Sequence, residues 1–251
     1  MFFAADPIIS LVLFAVLGLA LGSFGNVLVF RLPHGNSVSG RSHCPHCKKV
    51  LVPLELIPIV SFLLQWGKCR GCGQRISLQY PIVELFSSLL FMAALFIAGF
   101  FWIPALCLSI ALWALLLIVA TDIRTQLIPD LLTGIAALFG LLFHLTHGQF
   151  PIFAPVAGLA FFGIQWILSR GRWVGSGDVF LAGAIGFVLG YLSEMIWCIL
   201  FAYMLGALWG VFLLVSKKET MGARIAFGPF LIISAVLVMF FAPELPLIVN
   251  I

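Results

Sequence analysis

Eight long apolar stretches follow one another along this chain of 251 residues. Short polar segments separate them, and they cover residues 8–30, 82–101, 103–121, 128–147, 152–169, 178–191, 194–215 and 226–248. A helix needs about 20 mainly apolar residues to cross the hydrocarbon core of a bilayer. Only 9% of the residues are charged, against about 25% in soluble domains. We therefore predict an all-α polytopic membrane protein with about eight transmembrane helices.

All 13 lysines and arginines fall on one side of such an eight-helix arrangement. Short cytoplasmic loops of membrane proteins carry the excess of basic residues. We therefore expect the basic side to face the cytoplasm, with both termini outside and with Asp6, Glu194 and Glu244 on the outer side. The net charge of +4 then reflects topology. A nucleic-acid partner is not expected, because no basic face with stacking aromatic residues is evident.

The longest polar segment, residues 31–80, contains two CxxC pairs, Cys44 with Cys47 and Cys69 with Cys72. Four thiolates in two tight turns can close a tetrahedral zinc site. Two structural disulfides are the alternative, which a reducing cytoplasm disfavours. A segment this small buries little core, so a bound metal would supply its folding energy. We expect a first transmembrane helix (1–30), a small cytoplasmic zinc-knuckle domain (31–80) and a transmembrane remainder (81–251).

Two carboxylates lie at the predicted cytoplasmic membrane boundary. Asp122 closes the third apolar stretch, and Asp178 precedes the sixth in Gly175-Ser176-Gly177-Asp178. A carboxylate at a membrane boundary is costly and usually marks function. Two that meet can share one proton and activate a water molecule, as in aspartyl proteolysis. Close helix packing would bring them together, and the sixth stretch has small residues at four-residue spacing: Ala182, Gly186 and Gly190.

Each carboxylate also has a plainer interpretation. Asp122 could form an ion pair with Arg124, and Asp178 could cap the helix that follows it. Asp130, just after Pro129, could simply favour the dipole of the next helix. Metalloprotease chemistry is less favoured, because the HExxH motif is absent.

Several ordered motifs are similar to those of the bacterial prepilin leader peptidases, also called type IV prepilin-like leader peptidase/N-methyltransferases. The similarity covers nearly the whole chain. Besides the two CxxC pairs, it includes Gly22-Ser23-Phe24-Gly25-Asn26-Val27, Arg31-Leu32-Pro33, Ile57-Pro58-Ile59-Val60-Ser61, Tyr80-Pro81-Ile82-Val83-Glu84, the segment from Asp122 to Asp130, the segment from Gly175 to Asp178, and Phe227-Gly228-Pro229-Phe230.

The resemblance implies an aspartyl protease of the GxGD type in the bacterial inner membrane. Asp122 and Asp178 would be its catalytic pair and residues 81–251 its peptidase domain. Its substrates would be type IV prepilins and type II secretion pseudopilins, cleaved at the cytoplasmic face after the glycine that ends a short basic leader. Many members also methylate the new N-terminal residue with S-adenosylmethionine, and the cysteine loop is associated with that activity or with the fold of its own domain.

One position departs from the family pattern. The family usually has a lysine two residues after the aspartate of GxGD, where this chain has Phe180. The resemblance therefore leaves the efficiency and the substrate range open. The methyltransferase expectation depends on the resemblance alone, because no glycine-rich nucleotide loop of the usual kind follows a predicted strand. The roles of Glu55 and Asp130 are open as well.

Two other functions remain as alternatives. A GxGD protease that cuts other membrane proteins within their spans would need a site deeper in the bilayer than Asp122 and Asp178 suggest. A metal transporter with a cytoplasmic zinc sensor would be expected to contain inverted repeats and polar residues near the middle of the membrane. The sequence shows no clear repeat, and its acidic residues cluster at one face.

Overall fold

The computed structural model describes residues 6–35, 37–216 and 226–241. Within these ranges the chain is helical, without a β-strand: α1 (Pro7–Arg31), α2 (Val60–Leu64), α3 (Gln79–Ile97), α4 (Trp102–Thr125), α5 (Asp130–Thr146), α6 (Phe153–Ser169), α7 (Ser176–Leu189), α8 (Leu192–Val215) and α9 (Gly228–Phe241). Two short 3-10 turns, Leu32–His34 and Pro53–Glu55, lie in the segment between α1 and α3.

Four helices of the described part are long and apolar enough to cross a membrane, namely α1, α3, α4 and α8. The helices α5, α6, α7 and α9 are also apolar but shorter, with 17, 17, 14 and 14 residues. The predicted all-α class is therefore confirmed. The count of eight spans stays a prediction, and the part of the last predicted stretch beyond residue 241 lies outside the described residues.

The helix that contains Asp122 is longer than the sequence predicts. We expected it to end at residue 121, whereas α4 continues to Thr125. It stops where Gln126 adopts a left-handed conformation with φ of 53°, which a non-glycine residue seldom adopts inside a helix. Asp122 thus lies in the last turn of α4, rather than just after it. The next helix begins at Asp130, two residues after the start of the predicted stretch at 128, and Pro129 precedes it as the N-cap residue.

The helix that follows the GxGD motif is shifted towards the N-terminus relative to the prediction. It begins at Ser176 and ends at Leu189, with Gly190 as the C-cap residue at φ of 92°. Gly190 therefore ends α7 instead of continuing its row of small packing residues. It also lies directly against the ring of His144, where a side chain would not fit.

The chain separates into two compact units, Met1–Thr121 and Asp122–Ile251. The predicted boundaries at residues 30 and 80 separate a membrane helix, the cysteine loop and the rest of the chain, rather than two packed units. That division stays a prediction. In the first unit, α1 and α3 pack side by side because glycines on α1 let the backbones approach. A Cβ on Gly18 would lie 2.6 Å from Cα of Ser88, and one on Gly22 would lie 2.7 Å from Cα of Glu84.

In the second unit, α7 is the central helix. Eight of its 14 residues are buried, and α5, α6, α8 and α9 all contact it. Small residues again set the packing: a Cβ on Gly158 of α6 would lie 2.7 Å from the carbonyl oxygen of Ala182. Gly186, one of the predicted packing positions, lies directly on the backbone of Pro155. This packing fixes the start of α7, and with it Asp178.

Candidate active site and metal centre

Asp122 is buried in the last turn of α4, with only 4% of its surface exposed. Its Oδ2 atom has no hydrogen-bond partner among the described residues. That oxygen lies against the backbone of Gly228, where a Cβ would come within 2.6 Å of it. Gly228 interacts with the oxygen electrostatically, although the geometry is not that of a hydrogen bond. A buried carboxylate oxygen without a partner is uncommon in proteins and calls for an explanation.

Asp178 is half-buried in the first turn of α7. Asp178 is the third residue of the helix, and Gly175 is the N-cap residue. The alternative in which Asp178 itself is the N-cap residue is therefore wrong. Its Oδ2 accepts a hydrogen bond from the N–H group of Gly175 at 3.1 Å. One carboxylate oxygen of Asp178 thus stabilises the turn from Gly175 into α7.

The segments that carry the two aspartates meet within the second unit. A Cβ on Gly177 would lie 3.1 Å from Cβ of Ile128, in the loop that follows Asp122. A Cβ on Gly228 would contact both Asp122 and, at 3.5 Å, Cδ2 of Leu181, one helical turn after Asp178. The negative charge of Asp178 acts on Asp122. Each carboxylate therefore lies within the electrostatic reach of the other.

Aromatic residues enclose the same region. Phe227, just before Gly228, has its ring 5.3 Å from that of Tyr203 and 5.9 Å from that of Phe162. The hydroxyl group of Tyr203 donates a hydrogen bond to Oε1 of Gln165 at 2.7 Å, and the charge of Asp178 acts on it. Tyr203 and Gln165 were not predicted to lie here, because no local pattern distinguishes them from other residues of apolar helices.

The other two residues singled out near the aspartates are exposed. Asp130 begins α5 and is open to solvent or lipid, as a carboxylate that favours the helix dipole would be. Phe180, at the position where the family pattern has lysine, is 60% exposed. Neither side chain is part of the buried contacts around Asp122.

The four predicted metal ligands come together in the first unit. The Sγ atoms of Cys44, Cys47, Cys69 and Cys72 all lie within 4.8 Å of one another. The Sγ atoms of Cys44 and Cys72 are 3.9 Å apart, and those of Cys47 and Cys69 are 4.0 Å apart. All four cysteines are free thiols, so the disulfide alternative is not what this structure contains. The cluster could hold a metal ion.

The two CxxC turns have the same backbone structure. The N–H group of the first cysteine bonds the carbonyl five residues later, from Cys44 to Lys49 and from Cys69 to Gln74, each at 2.9 Å. The residue just before that acceptor is left-handed in both turns, with φ of 59° at Lys48 and 73° at Gly73. Each turn therefore aims its two thiols to the same side.

The electrostatics of the cysteine cluster favour a bound cation. The backbone N–H of Cys47 lowers the pKa of the Cys44 thiol to about 6. The pKa of Cys72 is raised to about 11, because desolvation and the neighbouring thiols outweigh the lowering effect of the Gln74 backbone. The Cys72 thiol therefore does not ionise readily by itself, whereas a metal dication would stabilise its thiolate.

Glu55 has a structural position beside this cluster. Its carboxylate is buried, pairs with Nζ of Lys49 at 2.9 Å, and accepts the N–H group of Val52 at 3.1 Å. The Lys49 ammonium and the Val52 N–H hold the pKa of Glu55 below its usual range. This ion pair ties the first CxxC turn to the 3-10 turn at Pro53–Glu55.

Comparison with known proteins identifies the family. The profile described as "Bacterial Peptidase A24 N-terminal domain" matches residues 16–98, and the profile described as "Type IV leader peptidase family" matches residues 109–211. A Bacillus subtilis protein named "Prepilin leader peptidase/N-methyltransferase" is 36% identical over 220 residues, which are 85% of this chain and 87% of the relative. The chain belongs to the type IV leader peptidase family.

Other relatives in the type IV leader peptidase family carry the same name. Those from Aeromonas salmonicida and Neisseria gonorrhoeae are each 32% identical to this chain. The alignments cover 86% of this chain and 85% of the Aeromonas protein, and 88% of this chain and 86% of the Neisseria protein. No solved structure matches the chain.

Proposed function

We propose that this chain removes the leader from type IV prepilins and type II secretion pseudopilins and then methylates the N-terminus that it exposes. Its relatives are named for both activities. The observation that carries the peptidase activity is the convergence of Asp122, Gly228 and the GxGD turn within one unit. We assign Asp122 and Asp178 as the catalytic pair.

In the proposed mechanism the two carboxylates divide one proton between them. The ionised carboxylate takes a proton from a water molecule, and the protonated one donates a hydrogen bond to the scissile carbonyl oxygen. The hydroxide adds to the carbonyl carbon, and the amine leaves with a proton as the peptide bond breaks. The Oδ2 of Asp122 is buried and has no partner among the described residues, so the water or the substrate carbonyl would be its partner in the reaction.

We propose that the protein is a multi-pass protein of the inner membrane, with this site and the cysteine loop on the cytoplasmic side. Four long apolar helices support the membrane assignment, and the one-sided distribution of basic residues supports the orientation. A prepilin presents its basic leader inside the cell and its apolar helix in the bilayer. A site at the cytoplasmic boundary matches that junction.

We further propose that the cysteine cluster binds a structural zinc ion. Four sulfurs at 2.3 Å from a tetrahedral zinc lie about 3.8 Å from one another, and the cross-pairs here are 3.9 and 4.0 Å apart. The ligands would be Cys44, Cys47, Cys69 and Cys72. Zinc would supply the folding energy that a loop of this size cannot obtain from a hydrophobic core.

S-adenosylmethionine is the methyl donor that we propose from the names of the relatives. The described residues do not fit the usual nucleotide site, because they contain no strand from which a glycine-rich turn could lead into a helix. The proposed cleavage mechanism involves no step with this donor.

Processing of a purified prepilin by the purified full-length protein tests the proposal. We expect mass spectrometry to find a single cut after the glycine that ends the leader, and one added methyl group on the new N-terminus when the donor is supplied. A protein that inserts into membranes and cuts no prepilin would contradict the peptidase assignment. A protein that cuts without methylating would contradict only the second activity.

A further inference from the structure

A group of polar side chains lies between α1 and α3 in the first unit, and the proposed peptidase chemistry does not use it. It consists of Ser23 and Asn26 on α1 and Glu84 and Ser87 on α3, which we call the Glu84 cluster. Asn26 is 1% exposed, Glu84 is 6% exposed and Ser87 is fully buried. Polar and ionisable side chains inside apolar helices are costly, so their presence suggests a function.

The positions of these residues follow from the close packing of α1 on α3. A Cβ on Gly22 would lie 2.7 Å from Cα of Glu84 and 2.9 Å from Oγ of Ser87. The Ser23 side chain interacts with the Glu84 carboxylate. Asn26 Nδ2 donates to the carbonyl oxygens of Gly22 and Tyr80, both at 3.2 Å. Glu84 and Ser87 thus lie beside Gly22, and Asn26 lies one turn further along α1, beside the backbone of Tyr80.

The cluster has more hydrogen-bond acceptors than donors. Within the described residues, Oδ1 of Asn26 and Oγ of Ser87 are buried and have no partner. Among the described residues, no lysine or arginine forms a salt bridge with Glu84, because the one salt bridge there joins Lys49 and Glu55. Along this helix contact, the Glu84 carboxylate and these two oxygens can accept further hydrogen bonds. A primary ammonium, with three N–H groups, can supply them.

The segment that lies over the cluster is strained. The N–H group of Ile59 donates to Oε2 of Glu84 at 2.7 Å, and Ile59 has φ of 57°. Positive φ at a β-branched residue is a genuine conformational outlier, and such outliers gather at functional sites. A charged donor forms a stronger hydrogen bond with a carboxylate than a neutral backbone N–H does. An ammonium can therefore displace Ile59 from Glu84 and relieve its strained conformation.

We propose that the Glu84 cluster binds a primary ammonium group of the pilin substrate. This inference rests on the proposed function, since it takes a pilin as the ligand. Two parts of a prepilin present a primary ammonium: the N-terminus that cleavage exposes, and a lysine of the basic leader. Both would meet the same carboxylate, Glu84, and the neighbouring hydroxyl of Ser87.

Peptide binding to the purified full-length protein, without a methyl donor, tests the proposal and separates the two sources. One peptide pair is the start of the mature pilin with a free or an acetylated N-terminus. The other is the leader with lysine or acetyl-lysine. We expect the wild-type protein to bind the unacetylated member of one pair about tenfold more tightly, as one charge-assisted hydrogen bond allows. Glu84→Gln should remove this preference. Equal binding of both members in both pairs overturns the proposal.

A matched pair of serine variants distinguishes ligand binding from a structural role. Ser87→Ala removes the unpartnered hydroxyl and should weaken binding of the preferred peptide several-fold. Ser88→Ala removes a hydroxyl that already donates to the carbonyl of Ala15 at 3.1 Å, and it should bind like the wild type. Equal binding by the Ser87→Ala and wild-type proteins contradicts the proposal, even if Glu84→Gln fails to fold.

Leader cleavage, measured on the same samples, distinguishes failure of this inference from failure of the proposed function. Wild-type protein that cuts prepilin but prefers neither unacetylated peptide overturns the ammonium site alone. Wild-type protein that cuts no prepilin overturns the proposed function itself.

Discussion

Gly228 is the residue that most closely limits the space around Asp122. A Cβ at this position would lie 2.6 Å from Oδ2 and 3.5 Å from Cγ of the aspartate. Real Cβ atoms do not approach other atoms so closely, so either the carboxylate or α9 would have to move. The glycine is required here for close approach, and the placement of the Asp122 carboxylate depends on it.

Replacing Gly228 with alanine should therefore impair cleavage without preventing insertion. Displacement of a reacting group by about 1 Å can cost about 100-fold in rate, and we expect a loss of tenfold or more in the rate of prepilin cleavage. The control is Gly134→Ala in α5, where an added Cβ meets nothing within 4 Å. Equal rates for the two variants would show that the contact at Gly228 does not position Asp122.

Helix α7 is packed closely on several sides by other helices of the second unit. Small residues on α7 and on its neighbours bring their backbones together, and Gly186 lies directly on Pro155 of α6. Because this packing also fixes the first turn of α7, the geometry at Asp178 depends on contacts further along the helix. The stability of the second unit and its activity should therefore decline together.

Gly186→Ala should lower the stability of the second unit. Overpacking a close helix contact costs about 1–3 kcal/mol, which corresponds to a fall of roughly 2–10 °C in the midpoint of thermal inactivation. Gly163→Ala in α6 is the control, since its Cβ would have an ordinary contact with Val179 at 3.8 Å. A midpoint for Gly186→Ala that equals the control would contradict the packing described for α7.

The paired CxxC turns make a separate prediction about metal. We expect one zinc ion per purified chain, measured by atomic emission, and loss of that zinc in Cys44→Ser and in Cys69→Ser. Loss of zinc should unfold the loop, so trypsin should cut at Lys48, Lys49 and Lys68 faster than in the metal-bound protein. Cys107→Ser, which alters a cysteine of α4 outside the cluster, should keep the metal. Zinc-free protein with an equally resistant loop would contradict a structural metal site.

For the whole molecule, the distribution of basic residues predicts the orientation in the membrane. A cytoplasmic reporter such as green fluorescent protein should be active when fused after Gly171, beside Arg170 and Arg172. Alkaline phosphatase, which folds only outside the cytoplasm, should be active when fused after Gly148. The reverse pattern would invert the topology and would place the proposed active site on the wrong side for a leader inside the cell.

Much of the architecture follows from local sequence. Within the described residues, the apolar stretches predict the apolar helices to within a few residues, because a helix that spans lipid is apolar over most of its length. The four thiols also come together as their spacing predicts, because each CxxC turn places its own pair. These features depend on short-range geometry, which a single sequence contains.

Other features depend on contacts between distant parts of the chain. The sequence gives no distance between Asp122 and Asp178, and only packing contacts such as that of Gly177 on Ile128 show that their segments meet. The last turn of α4 was missed, because its end depends on the left-handed residue Gln126. The burial of Glu84 could not be predicted from its local sequence, since it arises only when α1 and α3 pack together.

The most direct test of the central claim is prepilin cleavage by Asp122→Asn and Asp178→Asn proteins in membranes. Asparagine preserves size but can neither hold the shared proton nor act as a base. We predict that both variants insert normally and lose cleavage, while Asp130→Asn, which changes an exposed carboxylate at the start of α5, cleaves like the wild type. Normal cleavage by either of the first two variants would contradict an active site formed by Asp122 and Asp178.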